Sequence, residues 1–228
     1  MRFSATTEHR IPPHRQCFNV SCKHNVTLTN SDNLQTRMEI LIITGPPYSG
    51  KGTQCEILKT KLGFNHISTG DRIRKEKDEK TSIGKAMTEY EENGNLVPDH
   101  IMQKLIGQII DENSNAKGII LDGYPRTKAQ VDTILNLLIE RKLGIKAVIN
   151  IDVPKEELLA RAQKRAVSSN RKDDLNSDIH LKRIEIFEAA TRPAIDYMKG
   201  KFKVVDINGL GTIENITTAI SETLNACR

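Results

Sequence analysis

The segment Gly45–Thr53, which reads Gly-Pro-Pro-Tyr-Ser-Gly-Lys-Gly-Thr, contains the residues best suited to chemistry. A glycine-rich loop turns backbone N–H groups inward, and a helix that begins at its end adds partial positive charge, so polyphosphate binds there. Lys51 supplies a full positive charge for the β- and γ-phosphates of a nucleotide. The G-x-x-x-x-G-K spacing follows the apolar run Glu39–Thr44 and precedes a helical pattern, so it predicts a phosphate-binding strand–loop–helix unit.

Three further segments combine arginines with polar side chains. They are Ser68–Arg74, Leu121–Gln130 and Arg161–Arg171. A planar guanidinium matches the geometry of a phosphate, so these arginines are candidates for binding one. Asp122 ends a predicted buried strand, where an unpaired carboxylate is costly. Either a water-bound Mg²⁺ or an ion pair with a neighbouring side chain would account for it.

Alternating strand and helix patterns position these groups. Short apolar runs predict strands at 39–44, 64–67, 118–122, 147–152 and 202–206. Apolar residues at spacings of three and four predict helices between them, including stripes around 101–110 and 131–138 that we interpret as core packing. Such alternation is typical of a parallel sheet that is covered by helices on both faces.

The composition is that of a globular α/β protein without a membrane span. The chain has 228 residues, 28% of them charged, and a net charge of +5. No apolar run approaches the roughly 20 residues that cross a bilayer, and the N-terminus shows no signal-peptide pattern. We expect no nucleic-acid or membrane partner, because a small anionic substrate needs only a few local cations.

Residues 1–37 differ from the rest of the chain. They are polar, show no sustained period, and predict a disordered tail. Translation from Met38 and a targeting peptide are both compatible with this segment, and we favour the first. His14, Cys17, Cys22 and His24 cluster in the tail, but their spacing matches no established zinc pattern. The four cysteines are too scattered for a disulfide framework and fit a reducing compartment, so we expect a cytoplasmic protein, with organelle import as the alternative.

Residues 38–228 resemble the adenylate kinase family, the short-lid branch of the P-loop nucleoside monophosphate kinases. The resemblance rests on the Gly-Lys-Gly-Thr end of the phosphate loop, on Ser68–Arg74, on Gly94–Asp99 and on Leu121–Gln130. It implies a three-layer α/β P-loop NTPase fold with five parallel strands ordered 2-3-1-4-5. It also implies a helical AMP-binding insert at about 68–97 and a short lid at about 166–176.

The resemblance further implies transfer of a phosphoryl group from Mg-ATP to AMP, with ATP, AMP and ADP as ligands. ATP would be bound by the loop residues Tyr48, Ser49, Gly50, Lys51, Gly52 and Thr53 and by Arg161, Arg165 and Gly211. AMP would be bound by Thr69, Arg74, Asn95, Leu96, Val97, Gly123, Arg126, Gln130, Arg171 and Arg183. The catalytic charges would be Lys51, Arg126, Arg165, Arg171 and Arg183. Mg²⁺ would be held by Asp122 through water and by Thr53.

Acceptor choice depends on a few positions. Thr69, Thr127 and Gln130 follow the adenylate pattern, whereas kinases of UMP or CMP typically differ at these places. A UMP/CMP kinase and a nucleotide-sensing domain that has lost turnover remain the alternatives. No cysteine lies between Cys55 and Cys227, so we expect no cysteine-built zinc site in the lid. We expect a monomer.

Three positions test the alignment with the family. Tyr48 replaces the usual Gly or Ala, and a positive φ there would cost tyrosine roughly 1–2 kcal/mol. Asn170 replaces the usual Gly before Arg171, a smaller departure because Asn tolerates left-handed backbone. Family spacing from Arg171 points to Lys182 as the last catalytic charge, whereas spacing to the downstream anchors and the helical face point to Arg183. We favour Arg183.

Overall fold

The computed structural model describes residues 38–92, 95–168 and 177–226. The predicted tail, Gly94, and most of the predicted lid with Asn170 and Arg171 lie outside the described residues. Among the described residues, no helix combines the length and the apolar character that a membrane crossing requires.

The centre of the fold is a five-stranded parallel sheet. Its strands are β1 (Glu39–Thr44), β2 (Asn65–Ser68), β3 (Gly118–Asp122), β4 (Gly144–Asp152) and β5 (Val204–Asn208). They lie in the order β2-β3-β1-β4-β5, which confirms the predicted order 2-3-1-4-5. β1 lies in the middle, between β3 and β4, so the loop that follows it begins at the centre of the sheet.

Nine α-helices and one π-helical segment are present in the described part of the chain. They are α1 (Lys51–Leu62), α2 (Thr69–Asp78), α3 (Ser82–Glu92), α4 (Asp99–Glu112), α5 (Lys128–Glu140), α6 (Lys155–Ser168), α7 (Ser177–Ile186), the π-helical segment (Phe187–Thr191), α8 (Arg192–Lys199) and α9 (Ile213–Asn225). The short helices α2 and α3 occupy the predicted helical insert. The ends of α6 and α7 flank the predicted lid.

Apolar packing covers both faces of the sheet, as the strand–helix alternation predicts. Ile40 and Ile42 of β1 pack into a core cluster with α4 and α5. Leu41 and Ile43 point to the opposite face, where they pack with α1 and α9. A third, smaller cluster contains Tyr48 together with residues that follow β4 and lie on α6 and α7.

Three strands have bounds that differ from the predicted ones. At these bounds, hydrogen-bonded pairing rather than apolar character determines where the strand begins or ends. β2 is one residue later than predicted, because Ser68 pairs with Asp122 while the buried Phe64 only packs. β4 begins three residues earlier, at Gly144, which pairs with Glu39. β5 is two residues later, because it ends where Asn208 pairs with Asp152.

Candidate active site

Two glycines allow the phosphate loop its shape. Gly45 has φ 137, and a Cβ there would lie 2.3 Å from the carbonyl oxygen of Ile151. Gly50 has φ 90 and stands directly before the first residue of α1. Left-handed backbone favours glycine, and the close approach at Gly45 excludes a side chain. The loop therefore brings the N-terminus of α1 to the carboxyl edge of β1.

Lys51 is the first residue of α1, and its ammonium lies within the loop. Its Nζ donates to the carbonyl oxygen of Pro46 at 2.6 Å and lies 3.4 Å from Ser49 Oγ. Burial lowers the pKa of Lys51 to about 8; nearby Asp122 opposes this shift, and Arg126 and Arg165 add to it. The surroundings therefore disfavour the charge until an anion arrives.

Asp122 lies at the carboxyl end of β3 beside two residues that the motifs did not single out. Its Oδ2 lies 3.4 Å from His66 Nε2, and His66 Nδ1 lies 2.6 Å from Glu56 Oε1. Burial alone would lower the pKa of His66, but Asp122 and Glu56 outweigh it and raise that pKa. Burial also raises the pKa of the neighbouring Cys55 thiol. Asp122 thus lies beside a histidine whose protonated form it favours.

The donor set on the phosphate-loop side also fits Mg²⁺. Asp122 and Thr53 both line the main cavity, and the side chain of Asp122 remains 12% exposed to it. Carboxylate and hydroxyl oxygens are the hard ligands that Mg²⁺ prefers, and this ion usually keeps several waters. A water-mediated site at Asp122 therefore does not require Asp122 to leave His66.

Three arginines that line the main cavity, Arg74, Arg126 and Arg183, lie close together. Arg126 Nε donates to the carbonyl oxygen of Gly123 at 2.6 Å. Burial lowers the pKa of Arg126; Asp122 opposes this shift, while Arg183 and Arg74 add to it. Arg74 also pairs with Asp71 on the same helix. Several positive charges held so close together favour the binding of a multiply charged anion.

Thr69 and Gln130 lie buried beside these arginines. Thr69 Oγ1 donates to the carbonyl oxygen of Asp122 at 2.9 Å. Gln130 Nε2 donates to Asp99 Oδ1 at 2.7 Å, and Gln130 Oε1 accepts from the backbone N–H of Arg126 at 2.8 Å. Asp99, which the motif analysis did not assign, therefore fixes which edge of the Gln130 amide donates.

Arg161 connects the phosphate loop to the loop after β5. Its guanidinium donates to the carbonyl oxygens of Gly209 at 2.9 Å and Ser49 at 3.4 Å, and its Nε donates to Glu157 at 2.7 Å. Arg161, Ser49 and Gly211 line a second cavity of about 240 Å³. The structure thus brings Arg161 and Gly211 to one cavity.

The main cavity, of about 530 Å³, collects most of the predicted site residues. Those lining it are Tyr48, Gly50, Lys51, Gly52, Thr53, Thr69, Arg74, Asn95, Leu96, Val97, Asp122, Gly123, Arg126, Gln130, Arg161, Arg165 and Arg183. Ser49 and Gly211 lie at the second cavity only, and Arg171 is outside the described residues.

The structure separates the two candidates on α7. Arg183 lines the main cavity, while Lys182 is exposed and is absent from that lining. Ile184, the next residue, is buried in the small cluster with Tyr48. Helical geometry places successive side chains about 100° apart, so α7 can turn only one of the two charges toward the cavity.

The backbone of Tyr48 has a positive φ, the conformation that would be strained for a tyrosine at this position of the loop. Its φ is 67, and only 9% of the residue is exposed. The expected strain is roughly 1–2 kcal/mol, whereas burial of a large apolar side chain contributes about 1.5–3 kcal/mol. Packing of the ring therefore offsets the cost of the backbone.

Comparison with known proteins identifies the family to which the chain belongs. The family model for adenylate kinase matches residues 43–203. The chain belongs to the adenylate kinase family. An adenylate kinase of Bacteroides thetaiotaomicron is 40% identical over 185 residues, which cover 81% of this chain and 97% of the relative. Adenylate kinases of Bacteroides fragilis (42%; 77% of this chain, 93% of the relative) and Leptospira biflexa (38%; 82% and 100%) are similar.

Membership confirms the resemblance, the fold class and the activity. The chain is a nucleoside monophosphate kinase of the adenylate kinase type. Matching relatives named as adenylate kinases argue against the UMP/CMP alternative. The presence of Lys51, Asp122 and the arginines in one cavity argues against a sensing domain without turnover.

Sequence reasoning missed four residues that surround the site: Glu56, His66, Asp99 and His180. Asp99 is the last residue of the Gly94–Asp99 motif and His66 lies just before Ser68–Arg74, so their positions could have drawn attention. Glu56 and His180 contribute through contacts 10 and 132 residues away along the chain, which no local pattern reveals.

Proposed function

We propose that the chain catalyses Mg-ATP + AMP ⇌ 2 ADP by direct in-line transfer within the main cavity. One observation carries the proposal: a single cavity is lined both by the phosphate loop with Lys51 and by Arg74 and Arg126. Two phosphate-binding regions in one cavity can bring a donor and an acceptor phosphate into line. Positioning of this kind supplies much of the rate enhancement in phosphoryl transfer.

On the donor side, the loop N–H groups and Lys51 bind the β- and γ-phosphates of ATP. Arg161 and Gly211, at the second cavity, lie beside the adenine. Asp122, through water, and Thr53 would hold Mg²⁺, which would supply neutralisation of the charge on the phosphates. Adenylate kinases generally use Mg²⁺ with ATP.

On the acceptor side, Arg74 and Arg126 bind the AMP phosphate, and Thr69 and Gln130 contact the base. The backbone of 95–97 completes this region. Adenine presents one donor and one acceptor on its edge, which an amide of fixed orientation complements. The AMP phosphate is already a nucleophile, so the reaction needs no general base.

Arg165, Arg171 and Arg183 supply the remaining positive charge during transfer. Arg165 and Arg183 line the cavity from α6 and α7. Arg171 belongs to the segment between these helices, which we assign as the lid. A lid that brings charge only when substrates are bound also excludes water, which would otherwise accept the phosphoryl group.

The decisive assay couples ADP formation to a spectroscopic readout with AMP, CMP, UMP and GMP as acceptors. The highest kcat/KM is expected with AMP. A kcat/KM for CMP that equals or exceeds the AMP value would contradict the assignment of Thr69 and Gln130.

The variant Lys51→Met tests the proposed binding of the ATP phosphates by the phosphate loop. We expect it to abolish transfer and to leave the circular dichroism spectrum unchanged, because Lys51 contributes charge rather than packing. A kcat within tenfold of the unmodified enzyme would refute the phosphate-loop assignment.

We further propose that the enzyme is a cytoplasmic monomer without zinc in its lid. Both substrate regions lie in the cavity of one chain, so the chemistry requires no second copy. Sedimentation of the purified chain with metal analysis tests the oligomeric state and the zinc content. Imaging of a fluorescent fusion in cells of the source organism distinguishes a cytoplasmic enzyme from one imported by residues 1–37.

A further inference from the structure

The side chain of Tyr48 leaves the phosphate loop and packs between two helices. Its ring belongs to a cluster with Val153, Leu158 and Ala162, which follow β4 or lie on α6, and with Ile184 on α7. The loop is thereby attached to both helices whose ends flank the lid. A glycine or alanine at this place would have no ring that could make such contacts.

The hydroxyl of Tyr48 reaches a buried histidine on α7. Tyr48 Oη and His180 Nδ1 lie 2.5 Å apart, and the two rings meet edge to face with centroids 5.2 Å apart at 87°. His180 is only 5% exposed. The burial of both residues limits competition from water, so this hydrogen bond can fix the geometry of the pair.

The same pair contacts or adjoins two of the arginines assigned to phosphoryl transfer. The guanidinium carbon of Arg165 lies 5.6 Å from the centre of the Tyr48 ring, a cation–π distance. Arg183 follows His180 by three residues on α7, so the two side chains lie on neighbouring positions of one helical face. Both arginines line the main cavity.

We propose that Tyr48 and His180 are positioning residues that hold the phosphate loop, Arg165 and Arg183 in register for transfer. The proposal rests on the roles given above to the two arginines. Tyr48 touches Arg165 through its ring and sets α7 through its hydroxyl, so both charges are placed relative to the loop that binds the ATP phosphates. Among the hydrogen bonds and ring contacts of the described residues, none joins Tyr48 or His180 to Thr69 or Gln130, the proposed AMP base region.

Tyr48→Phe tests the hydroxyl while the ring and its packing remain. We expect kcat to fall by about tenfold, since small misplacements of charge in a transfer site are costly. The KM for AMP is expected to stay within twofold. Tyr197→Phe is the matched control: its hydroxyl bonds to Asp132 on the surface at 2.9 Å, away from the cavity, and its loss should leave kcat unchanged.

A double-mutant cycle with His180→Phe, which keeps an aromatic ring but removes the nitrogens, tests whether the residues act together. The double variant should be no slower than the slower single variant. If His180→Phe does not fold, His180→Asn is used in its place. The Asn amide can occupy the position of Nδ1, so His180→Asn should retain a higher kcat than His180→Ala.

The outcomes separate the pair from the proposed function. A Tyr48→Phe variant with a lowered melting temperature but unchanged kcat, or with equal increases in both KM values, shows a purely structural pair and overturns the inference. Additive losses in the cycle also overturn it. If instead Arg165→Ala and Arg183→Ala retain full kcat, the assigned arginine roles fail, whatever Tyr48→Phe does.

Discussion

Lys51 has to carry a charge that its own surroundings disfavour. Burial and the neighbouring arginines lower its pKa from 10.5 to about 8, although Asp122 opposes them. The folded protein therefore releases this proton near pH 8, whereas the unfolded chain keeps it to about 10.5. Because the unfolded state binds more protons in this window, the contribution of Lys51 to the free energy of unfolding rises with pH between 8 and 10.5.

The same pKa predicts the pH dependence of ATP use. We expect kcat/KM for ATP to decline above pH 8, approaching tenfold per pH unit, because the free enzyme loses the cation that binds the phosphates. Steady-state kinetics between pH 6.5 and 10 give the profile. Lys51→Arg, which stays charged throughout, serves as the control and should lack the break near pH 8 even if it is slower. An identical break in both enzymes would contradict the assignment to Lys51.

Under the proposed roles, selection of the base by Gln130 depends on Asp99, which is not among the residues that line the main cavity. Asp99 Oδ1 accepts from Gln130 Nε2 and from Thr127 Oγ1, at 2.7 and 3.0 Å. We expect Asp99→Ala to lower kcat/KM for AMP by roughly tenfold, mainly through KM, because the Gln130 amide loses its fixed orientation. Asp99→Asn keeps one acceptor oxygen and should lose less. Equal losses in both variants, or a loss confined to kcat, would show that Asp99 does not act through Gln130.

At the scale of the elements, periodicity and motif context predicted the features that depend on residues close together in the sequence. The run Glu39–Thr44 is β1 as predicted, and the strand order follows from the family resemblance. The bounds of β2, β4 and β5 differ from the predicted ones, because pairing with a neighbouring strand decides them and pairing joins residues far apart in the sequence. The contacts of Tyr48 with His180 and of Gln130 with Asp99 could not be predicted for the same reason.

The orientation of helix α7 determines which of two neighbouring charges lines the cavity. Its register turns Arg183 into the cavity and leaves Lys182 exposed. We expect Arg183→Ala to lower kcat by at least about a hundredfold, since a missing charge in the transfer site is costly, while Lys182→Ala costs less than about fivefold. Both variants are assayed side by side, with folding checked by circular dichroism. If Lys182→Ala loses activity while Arg183→Ala remains active, our alignment has assigned the wrong residue as the catalytic charge.

At the scale of the whole molecule, the catalytic parts all lie after residue 37. The family model begins at residue 43, and the Leptospira biflexa relative is matched over its full length by 82% of this chain. The sheet, both cavities and every assigned residue belong to this part. Such an arrangement predicts that residues 1–37 contribute neither to the chemistry nor to the core.

We therefore expect a chain that begins at Met38 to keep kcat within twofold of the full chain and its melting temperature within a few degrees. The physical reason is the polar, aperiodic composition of residues 1–37, which offers no apolar face for burial against a folded domain. Kinetics and thermal denaturation of the two chains, purified in parallel, provide the test. The variant Cys17→Ser/Cys22→Ser in the full chain controls for metal binding by the tail. A large loss of activity or stability in the shortened chain alone would show that the tail docks on the kinase, and a loss shared by the cysteine variant would indicate that a metal holds it there.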